Sequence, residues 1–456
     1  MKEVGMIKEE IIRLLDERRY SELIKEMAEL PAVDAADIFA DVPEQHQTKF
    51  FRLLPKDTAS ELFVLMENDA RERIIGAFSD TELAGILSEL YLDDTVDIIE
   101  EMPANVVKKI LRNSTPEDRN TINELLGYPR DSAGTVMTPE YVRLVGDMTV
   151  EAALAHLRRV AINKETIYTC YVTDKQRHLC GIVTAKDLLI SPLDMPISEI
   201  MECSVIYAYT TDDKEDVARK IEKYGFLALP IVDAEKRLVG IVTVDDAIDV
   251  LSEETEEDIS KMAAITPTET PYLKTSVFTI FKSRIPWLLI LMVSATVSST
   301  ILSRFEARLA SILVLFVPML MDTGGNSGNQ ASVTLVRGLS LGTVKRSDFL
   351  AVWYKEIRVG LLSGLVLGVV AFCKIMLIDR LVMQNSEVTL VVGAVVAVTL
   401  AMTVVIAKLV GSALPILASK IGLDPAVMAS PFITTTVDAL SLTVYFMIAS
   451  PFFTVA

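Results

Sequence analysis

The chain has 456 residues, more than one ordinary domain, and a formal net charge of −18. Residues 277–456 hold 8 acidic and 13 basic residues, which leaves residues 1–276 with a formal charge of −23. Nucleic-acid binding needs Lys and Arg to replace phosphate counterions, so this acidic region argues against nucleic acid as a partner and favours cations.

The first 130 residues predict an all-α helical solenoid. They open with a charged amphipathic helix that lacks the apolar core of a signal peptide, so we expect this part of the chain to stay in the cytosol. Segments with apolar residues at helical spacing then recur about every twenty residues, broken by Pro and Asp, as in stacked helical hairpins. We assign residues 1–130 to a helical N-terminal domain that makes contacts rather than performing catalysis.

Two copies of one pattern follow, at residues 131–199 and 200–252, with matching GIVT strings that begin at Gly181 and Gly240. Each copy has the pattern of helix, strand, turn, strand and helix, with Val, Ile and Tyr concentrated in the strands. The two copies resemble a tandem pair of CBS domains, which are α/β modules.

The G-x-x-T-x-x-D pattern of that domain family is met by Thr184 with Asp187 and by Thr243 with Asp246. A carboxylate that opens a helix can accept hydrogen bonds from ribose hydroxyls, and Thr and backbone amides can approach phosphate. ATP or another adenine nucleotide is therefore the expected ligand. Thr and Asp at a strand-to-helix junction are also ordinary N-caps, so both interpretations stay open.

An acidic segment joins the second repeat to the rest of the chain. Residues 253–276 are predicted to form a connecting helix that continues a run of carboxylates, and a second acidic group includes Asp93 and Asp97 on one helix face. A divalent cation that bridged these surfaces would turn their repulsion into attachment, and oxygen ligands suit Mg²⁺ or Ca²⁺ rather than Zn²⁺ or copper. A solvated acidic linker is the alternative.

Residues 277–456 predict an all-α membrane domain with five transmembrane helices, at about 285–303, 311–335, 357–378, 388–415 and 427–453. The basic loop from Arg337 to Arg358 marks the cytoplasmic side, which places the soluble domains in the cytoplasm and the C terminus outside. Gly360, Gly364 and Gly368 allow close helix contact, either within one subunit or across the interface of a homodimer with its pore nearby. We infer the homodimer.

Few polar side chains interrupt these apolar stretches. They include Asp438 and the run from Pro318 to Gln330, which contains Asp322. An ionisable side chain at membrane depth costs roughly 2.5 to 3.5 kcal/mol on insertion scales, so it normally faces a bundle interior or a water-filled path. The pattern indicates ion transport, with Asp322 either lining the pore or capping the irregular glycine-rich segment.

The strings PMLMDTGGNSGNQ and PFITTTVDA, with the order of domains, resemble the MgtE family of magnesium channels over essentially the whole chain. The resemblance implies a Mg²⁺-selective channel or transporter in the cell membrane, without enzymatic activity. It implies a pore site at Asp438 beside the carbonyl of Thr434, with polar groups near Asn326 and Asn329. It also implies that cytosolic Mg²⁺ closes the pore by drawing acidic surfaces together, through Asp93, Asp97, Asp246, Asp249, Glu254 and Glu257.

Two other classes of function compete with this one. A nucleotide-hydrolysing pump would need a G-x-x-x-x-G-K-[ST] phosphate loop, and no such string occurs in the sequence. A membrane-tethered sensor of nucleotides or divalent metals, without transport, would have no use for Asp438 inside an apolar span. The sensor remains the alternative to the channel.

Overall fold

The computed structural model describes residues 2–28, 30–268, 272–273, 275–306, 311–428 and 430–453. The chain divides into two compact units, Met1–Ser252 and Glu253–Ala456.

In the part of the chain that the structure describes, ten short helices form the first part of the first unit. Pro31, Pro43, Pro55 and Pro103 each precede a helix. The residue before a proline is forced into extended backbone, which ends the previous helix there. The predicted all-α N-terminal domain is confirmed, and its helices are α1 Lys2–Asp16, α2 Tyr20–Met27, α3 Ala32–Asp41, α4 Glu44–Leu53, α5 Lys56–Leu65, α6 Asn68–Ala77, α7 Asp80–Leu87, α8 Leu92–Glu101, α9 Ala104–Asn113 and α10 Pro116–Leu125.

Two three-stranded sheets follow in the first unit. In each, the first strand is parallel to the second and the second is antiparallel to the third. The strands are β1 Val142–Val145, β2 Thr169–Thr173, β3 Leu179–Thr184, β4 Ala208–Tyr209, β5 Ala228–Val232 and β6 Leu238–Thr243. The accompanying helices are α11 Val150–Val160, α12 Ala185–Ile190, α13 Ile197–Ile200 and α14 Lys214–Tyr224.

The α/β class predicted for the repeats is confirmed, but the predicted pattern of elements was incomplete. It omitted the leading strands β1 and β4, which have only four and two residues. Such strands are too short to show the alternation of apolar and polar residues that identifies a strand in a sequence. They form by pairing with β2 and β5, which tertiary contacts place beside them.

The connecting helix is α15, Val244–Met262, rather than the predicted 253–276. It begins directly after β6, and it ends because Ala264 adopts a left-handed backbone with φ of 55°. The Ile265 amide then donates to the Ser260 carbonyl at 2.9 Å, which closes the last turn. Of the predicted segment, residues 269–271 and 274 lie outside the described residues.

Among the described residues, the second unit contains five long helices, α16 Val277–Glu306, α17 Val317–Ser340, α18 Phe349–Lys374, α19 Leu390–Lys420 and α20 Ser430–Phe453. A π-helix over Ile375–Val382 extends α18. Four segments in the described ranges are long and apolar enough to cross a membrane: Val277–Arg304, Arg346–Val382, Leu390–Lys420 and Ala426–Phe453. The helix α17 has 24 residues but carries the polar run that ends at Gln330.

Glycines bring these helices into close contact. A Cβ added at Gly364 of α18 would lie 2.6 Å from the Ala401 carbonyl oxygen of α19, and one at Gly411 of α19 would lie 2.1 Å from the Gly328 carbonyl oxygen of α17. Gly360 and Gly368 also face α19. Of the two interpretations of the α18 glycines, the structure therefore shows the contact within one chain.

Candidate ion-binding sites

Polar side chains of α17 line a cavity of about 590 Å³ in the second unit. Asp322, Asn326 and Gln330 follow one another at four-residue spacing on this side of the helix, and α18 contributes Ser363. On α19 the cavity is lined by Lys408, a cation that the sequence analysis did not single out. The cavity therefore combines one carboxylate, one ammonium group and several amide and hydroxyl oxygens.

The carboxylate of Asp438 lies on α20, where its Oδ1 is buried and has no hydrogen-bond partner among the described residues. The charge of Asp322 acts on this carboxylate, so the two acidic groups lie within electrostatic range of each other. A buried carboxylate oxygen without a partner, near a second negative charge, attracts a divalent cation, because the cation removes the repulsion between the two charges. Asp438 thus has the environment expected of an ion-binding group rather than of a structural one.

The α20 helix packs on the glycine side of α17. Thr434 contacts the position of Gly325, and a Cβ added at Gly324 would lie 3.1 Å from Val437 and 3.0 Å from the Ser441 hydroxyl. The predicted pore residues therefore do not all lie in one place. Asp322 and Asn326 line the cavity, whereas Asn329 does not. Thr434 lies at the contact of α17 with α20.

Carboxylates from three segments, namely α8, the start of α15 and the first repeat, lie close together in the first unit. Asp93, Asp94 and Asp97 lie on α8, and Asp246 lies in the first turn of α15. Burial, followed by the charges of neighbouring carboxylates, raises the pKa of Asp97 to about 8 and that of Asp93 to about 7. The pKa of Asp94 is raised to about 6 for the same reasons, with Asp246 as its strongest charged neighbour.

Glu140 and Glu165 join this acidic cluster from the first repeat, although no local sequence pattern marks them. Glu140 accepts a hydrogen bond from the Leu92 amide at 3.2 Å, at the start of α8. Burial raises the pKa of Glu140 to about 7 and that of Glu165 to about 8, and the charge of Asp93 adds to both shifts. Two oxygens, Asp93 Oδ1 and Glu165 Oε2, are buried without a hydrogen-bond partner among the described residues.

The Thr and Asp pairs predicted to bind nucleotide form helix caps. Asp187 accepts from the Thr184 amide at 3.2 Å, and the Asp187 amide donates to the Thr184 hydroxyl at 3.2 Å. In the second repeat, Asp246 accepts from the amide and the hydroxyl of Thr243. The capping interpretation is realised in both repeats, and nucleotide binding at these residues stays a prediction.

Burial raises the pKa of Asp246, and the charges of Asp245 and Asp249 add to that effect, whereas its hydrogen bonds from Thr243 oppose it. Asp246 therefore links the helix cap to the acidic cluster. Asp249 lies about one turn further along α15.

The last turns of α15 belong to the second unit and carry a different arrangement. The Lys261 ammonium donates to Asp424 at 2.7 Å and lies 2.8 Å from Glu257. These hydrogen bonds raise the pKa of Lys261 above its usual range, although burial opposes the shift. The Ser340 hydroxyl at the end of α17 donates to Asp258 at 2.8 Å. Glu257, predicted as a regulatory ligand, is thus paired with a lysine.

Glu254 lies on the same helix, between the acidic cluster and this lysine pair in sequence. Across the described ranges, no three His, Cys, Asp or Glu side chains are grouped so that they could hold a metal ion. Mg²⁺ usually keeps several of its waters and binds proteins through one or two carboxylates.

Profiles of known families match three parts of the chain. The profile described as a divalent cation transporter, MgtE, matches residues 317–448. The MgtE intracellular N domain matches residues 30–131, and the CBS domain matches residues 133–193 and 197–253.

Similar proteins span almost the full chain. The magnesium transporter MgtE of Thermus thermophilus is 35% identical over 429 residues, covering 93% of each chain. That of Bacillus subtilis is 32% identical over 445 residues, covering 97% of this chain and 96% of its own.

Two solved structures resemble the soluble part. The cytosolic domain of the Mg²⁺ channel MgtE in complex with ATP is 36% identical, with a TM-score of 0.50, and covers 52% of this chain and 97% of its own. The soluble part of a magnesium transporter is 30% identical, with a TM-score of 0.51, and covers 55% of this chain and 99% of its own.

Proposed function

The chain belongs to the MgtE family of divalent cation transporters, and from that premise we propose that it carries Mg²⁺ into the cell through its second unit. The observation that carries the proposal is the buried Asp438 oxygen that lacks a hydrogen-bond partner among the described residues, within electrostatic range of Asp322. A carboxylate held in this way is stabilised by a passing cation. Mg²⁺ is the substrate of this reaction, and no bond is made or broken.

Asp438 would attract the ion, and the carbonyl of Thr434 one turn earlier would accept a hydrogen bond from its water shell. Asn326 and Asn329 would offer amide oxygens from α17, and Asp322 lies on the same helix within electrostatic range of Asp438. Because Mg²⁺ loses its waters reluctantly, a site with few direct ligands can hold it hydrated and select it by hydrated size.

The acidic cluster supports regulation by cytosolic Mg²⁺. Asp93, Asp97, Asp246 and Asp249 concentrate negative charge in the first unit, and Glu254 and Glu257 continue it along α15. Mg²⁺ that binds these groups more tightly in a closed state than in an open one would close the pore as its concentration rises. Depletion of Mg²⁺ would restore the repulsion and favour the open state.

ATP is the proposed second regulator, because the similar cytosolic domain was solved in complex with ATP. Thr184 and Asp187 in one repeat, and Thr243 and Asp246 in the other, would contact the nucleotide. Since Asp246 also belongs to the acidic cluster, ATP and Mg²⁺ would act on one helix start.

We place the protein in the cell membrane as a multi-pass homodimer, with α17 as the fifth span beside the four apolar segments. Five spans would put the two termini on opposite sides of the membrane. The basic loop from Arg337 to Arg358 favours the orientation with the soluble domains in the cytoplasm and the C terminus outside. Small and polar residues on α17 are tolerated at membrane depth where they pack on neighbouring helices or line a cavity.

The test is Mg²⁺ uptake into liposomes that contain the purified protein, comparing the wild type with Asp438→Ala while Mg²⁺ is varied on the side of the soluble domains. Uptake that requires Asp438 and declines as Mg²⁺ rises on that side would support a self-gated channel. Folded wild-type protein that leaves the liposomes impermeable at low Mg²⁺ would favour the sensor without transport.

A further inference from the structure

Lys408 is a buried cation in the middle of α19, with 6% of its surface exposed. Burying an ammonium group in an apolar environment is unfavourable unless a negative group balances it. No hydrogen bond or ion pair joins Lys408 to another of the described residues, and it lines the 590 Å³ cavity beside α17. A negative group on the same cavity would balance its charge.

Asp322 is the residue that can balance it. Of the ten side chains that line the cavity, Asp322 and Lys408 are the two that carry a full charge. The position of Lys408 relative to α17 is fixed by the contact of the neighbouring Ala407 and Gly411 with Gly328. Asp322 on α17 and Lys408 on the neighbouring helix α19 thus line the same cavity, without a direct ion pair within 4.0 Å.

The cavity is large enough for the transported ion. Six waters around Mg²⁺ have a liquid volume of about 180 Å³, well below the volume of the cavity. Amide groups of Asn326 and Gln330 could hydrogen-bond to such a water shell. The size and polarity of the cavity would therefore admit a hydrated ion, and the net charge of the cavity decides whether the ion stays.

We propose that Lys408 is a specificity-determining residue, a tethered cation that neutralises Asp322 and prevents this cavity from trapping the Mg²⁺ that passes Asp438. The inference rests on the proposed function. With Lys408 in place the cavity has no net charge, and Asp438 keeps the unbalanced carboxylate. Without Lys408, Asp322 would be free to hold a divalent ion beside the path.

The test is a double-mutant cycle in liposomes, with Mg²⁺ uptake measured against Mg²⁺ concentration for Lys408→Met, Asp322→Asn and the double variant. In Lys408→Met, we expect the half-saturating Mg²⁺ concentration and the maximal rate both to fall about tenfold, because the ion is retained. In Asp322→Asn, we expect the half-saturating concentration to rise about tenfold, because the ammonium now repels the ion. The double variant should return to within about threefold of the wild type.

Lys408→Arg retains the charge and should resemble the wild type more closely than Lys408→Met does. Because the two expected changes in half-saturating concentration cancel by multiplication alone, the maximal rate decides, and Asp322→Asn should leave that rate near the wild-type value. A double variant whose maximal rate stays about tenfold below the wild type, as in Lys408→Met, would overturn the role of Lys408, since a purely structural lysine predicts that outcome. Wild-type liposomes without Mg²⁺ flux would instead defeat the proposed function.

A second measurement does not depend on flux. Mn²⁺ binding to the full chain in detergent should show one additional site in Lys408→Met relative to the wild type, and that site should disappear in the double variant. Equal numbers of Mn²⁺ sites in all three proteins would also overturn the inference.

Discussion

Carboxylates are many and crowded in the first unit, whereas in the helices of the second unit they are few and accompanied by a lysine. In the acidic cluster, burial and then the charge of Asp93 raise the pKa values of Asp97 and Glu165. Along α17 and α20, Asp322 and Asp438 stand among hydroxyl and amide groups, with Lys408 facing one of them.

The two units can therefore treat the same ion differently, one by retaining it and the other by releasing it. A cluster of repelling carboxylates gains most from a cation that remains bound, which suits detection of a concentration. A site with few charged groups, in which Lys408 balances Asp322, binds the ion more weakly and releases it, which suits transport. Four predictions test this contrast, in order of decreasing effect.

The largest effect should come from removing the pore carboxylate. We expect Asp438→Asn to lower Mg²⁺ uptake into liposomes by about a hundredfold, which corresponds to about 2.7 kcal/mol of lost ion stabilisation. Thr443→Val on the same helix is the matched control, because its hydroxyl donates to the Ala439 carbonyl of its own helix. Similar losses in the two variants would mean that α20 is merely sensitive to substitution.

The second effect concerns the cluster. We expect Asp93→Asn combined with Asp97→Asn to raise about tenfold the Mg²⁺ concentration that half-inhibits uptake, while the maximal rate stays near the wild-type value. With two carboxylates removed, Mg²⁺ relieves less repulsion when it binds, so it binds the acidic cluster more weakly. Glu117→Gln removes an exposed carboxylate on α10 and should change neither quantity. Unchanged inhibition in the double variant would separate the cluster from gating.

The third effect is on stability against pH without Mg²⁺. The folded-state pKa values of Asp97 and Glu165 are about 8, above the ordinary values of these groups. Between the ordinary and the raised pKa, the folded protein binds more protons than the unfolded protein, so the free energy of unfolding falls as pH rises. We expect the Tm to fall by about 5 °C between pH 5.5 and pH 8.

Added Mg²⁺ should restore more of the Tm at pH 8 than at pH 5.5, and Asp97→Asn should flatten the pH dependence. A Tm that increased with pH over this range would contradict the raised pKa values.

The smallest effect compares glycines in the two units. Gly364→Ala should destabilise the protein by roughly 1 to 3 kcal/mol, because the added Cβ would meet the Ala401 carbonyl oxygen. Gly76→Ala on α6 meets no atom within 4 Å and should stabilise its helix by up to about 1 kcal/mol. Thermal unfolding in detergent measures both, and equal effects would show that the close contact is not rigid.

Local patterns in the sequence were enough for the fold class. Helical periodicity identified the N-terminal helices, and apolar length identified four of the predicted spans. The fifth predicted span, at 311–335, is not among the four apolar segments of the described ranges, because α17 carries the polar run that ends at Gln330. The strands β1 and β4 were missed because they are defined by pairing rather than by pattern.

The candidate sites were only partly predictable for the same reason. Asp93 and Asp97 were found because they repeat on one helix face, whereas Glu140 and Glu165 reach the acidic cluster only through tertiary folding. Lys408 was overlooked because a single lysine in a long apolar run does not change the prediction of a span. Its relation to Asp322 appears only when α17 and α19 are packed.

The contact of Gly411 with Gly328 limits what mutation can change. Every missense change of a glycine codon adds at least a Cβ, and at Gly411 that atom would overlap the Gly328 carbonyl oxygen. Single substitutions therefore cannot alter this contact between α17 and α19 in small steps. Any substitution of Gly411 must move α17 away from α19, and with it the cavity that both helices line.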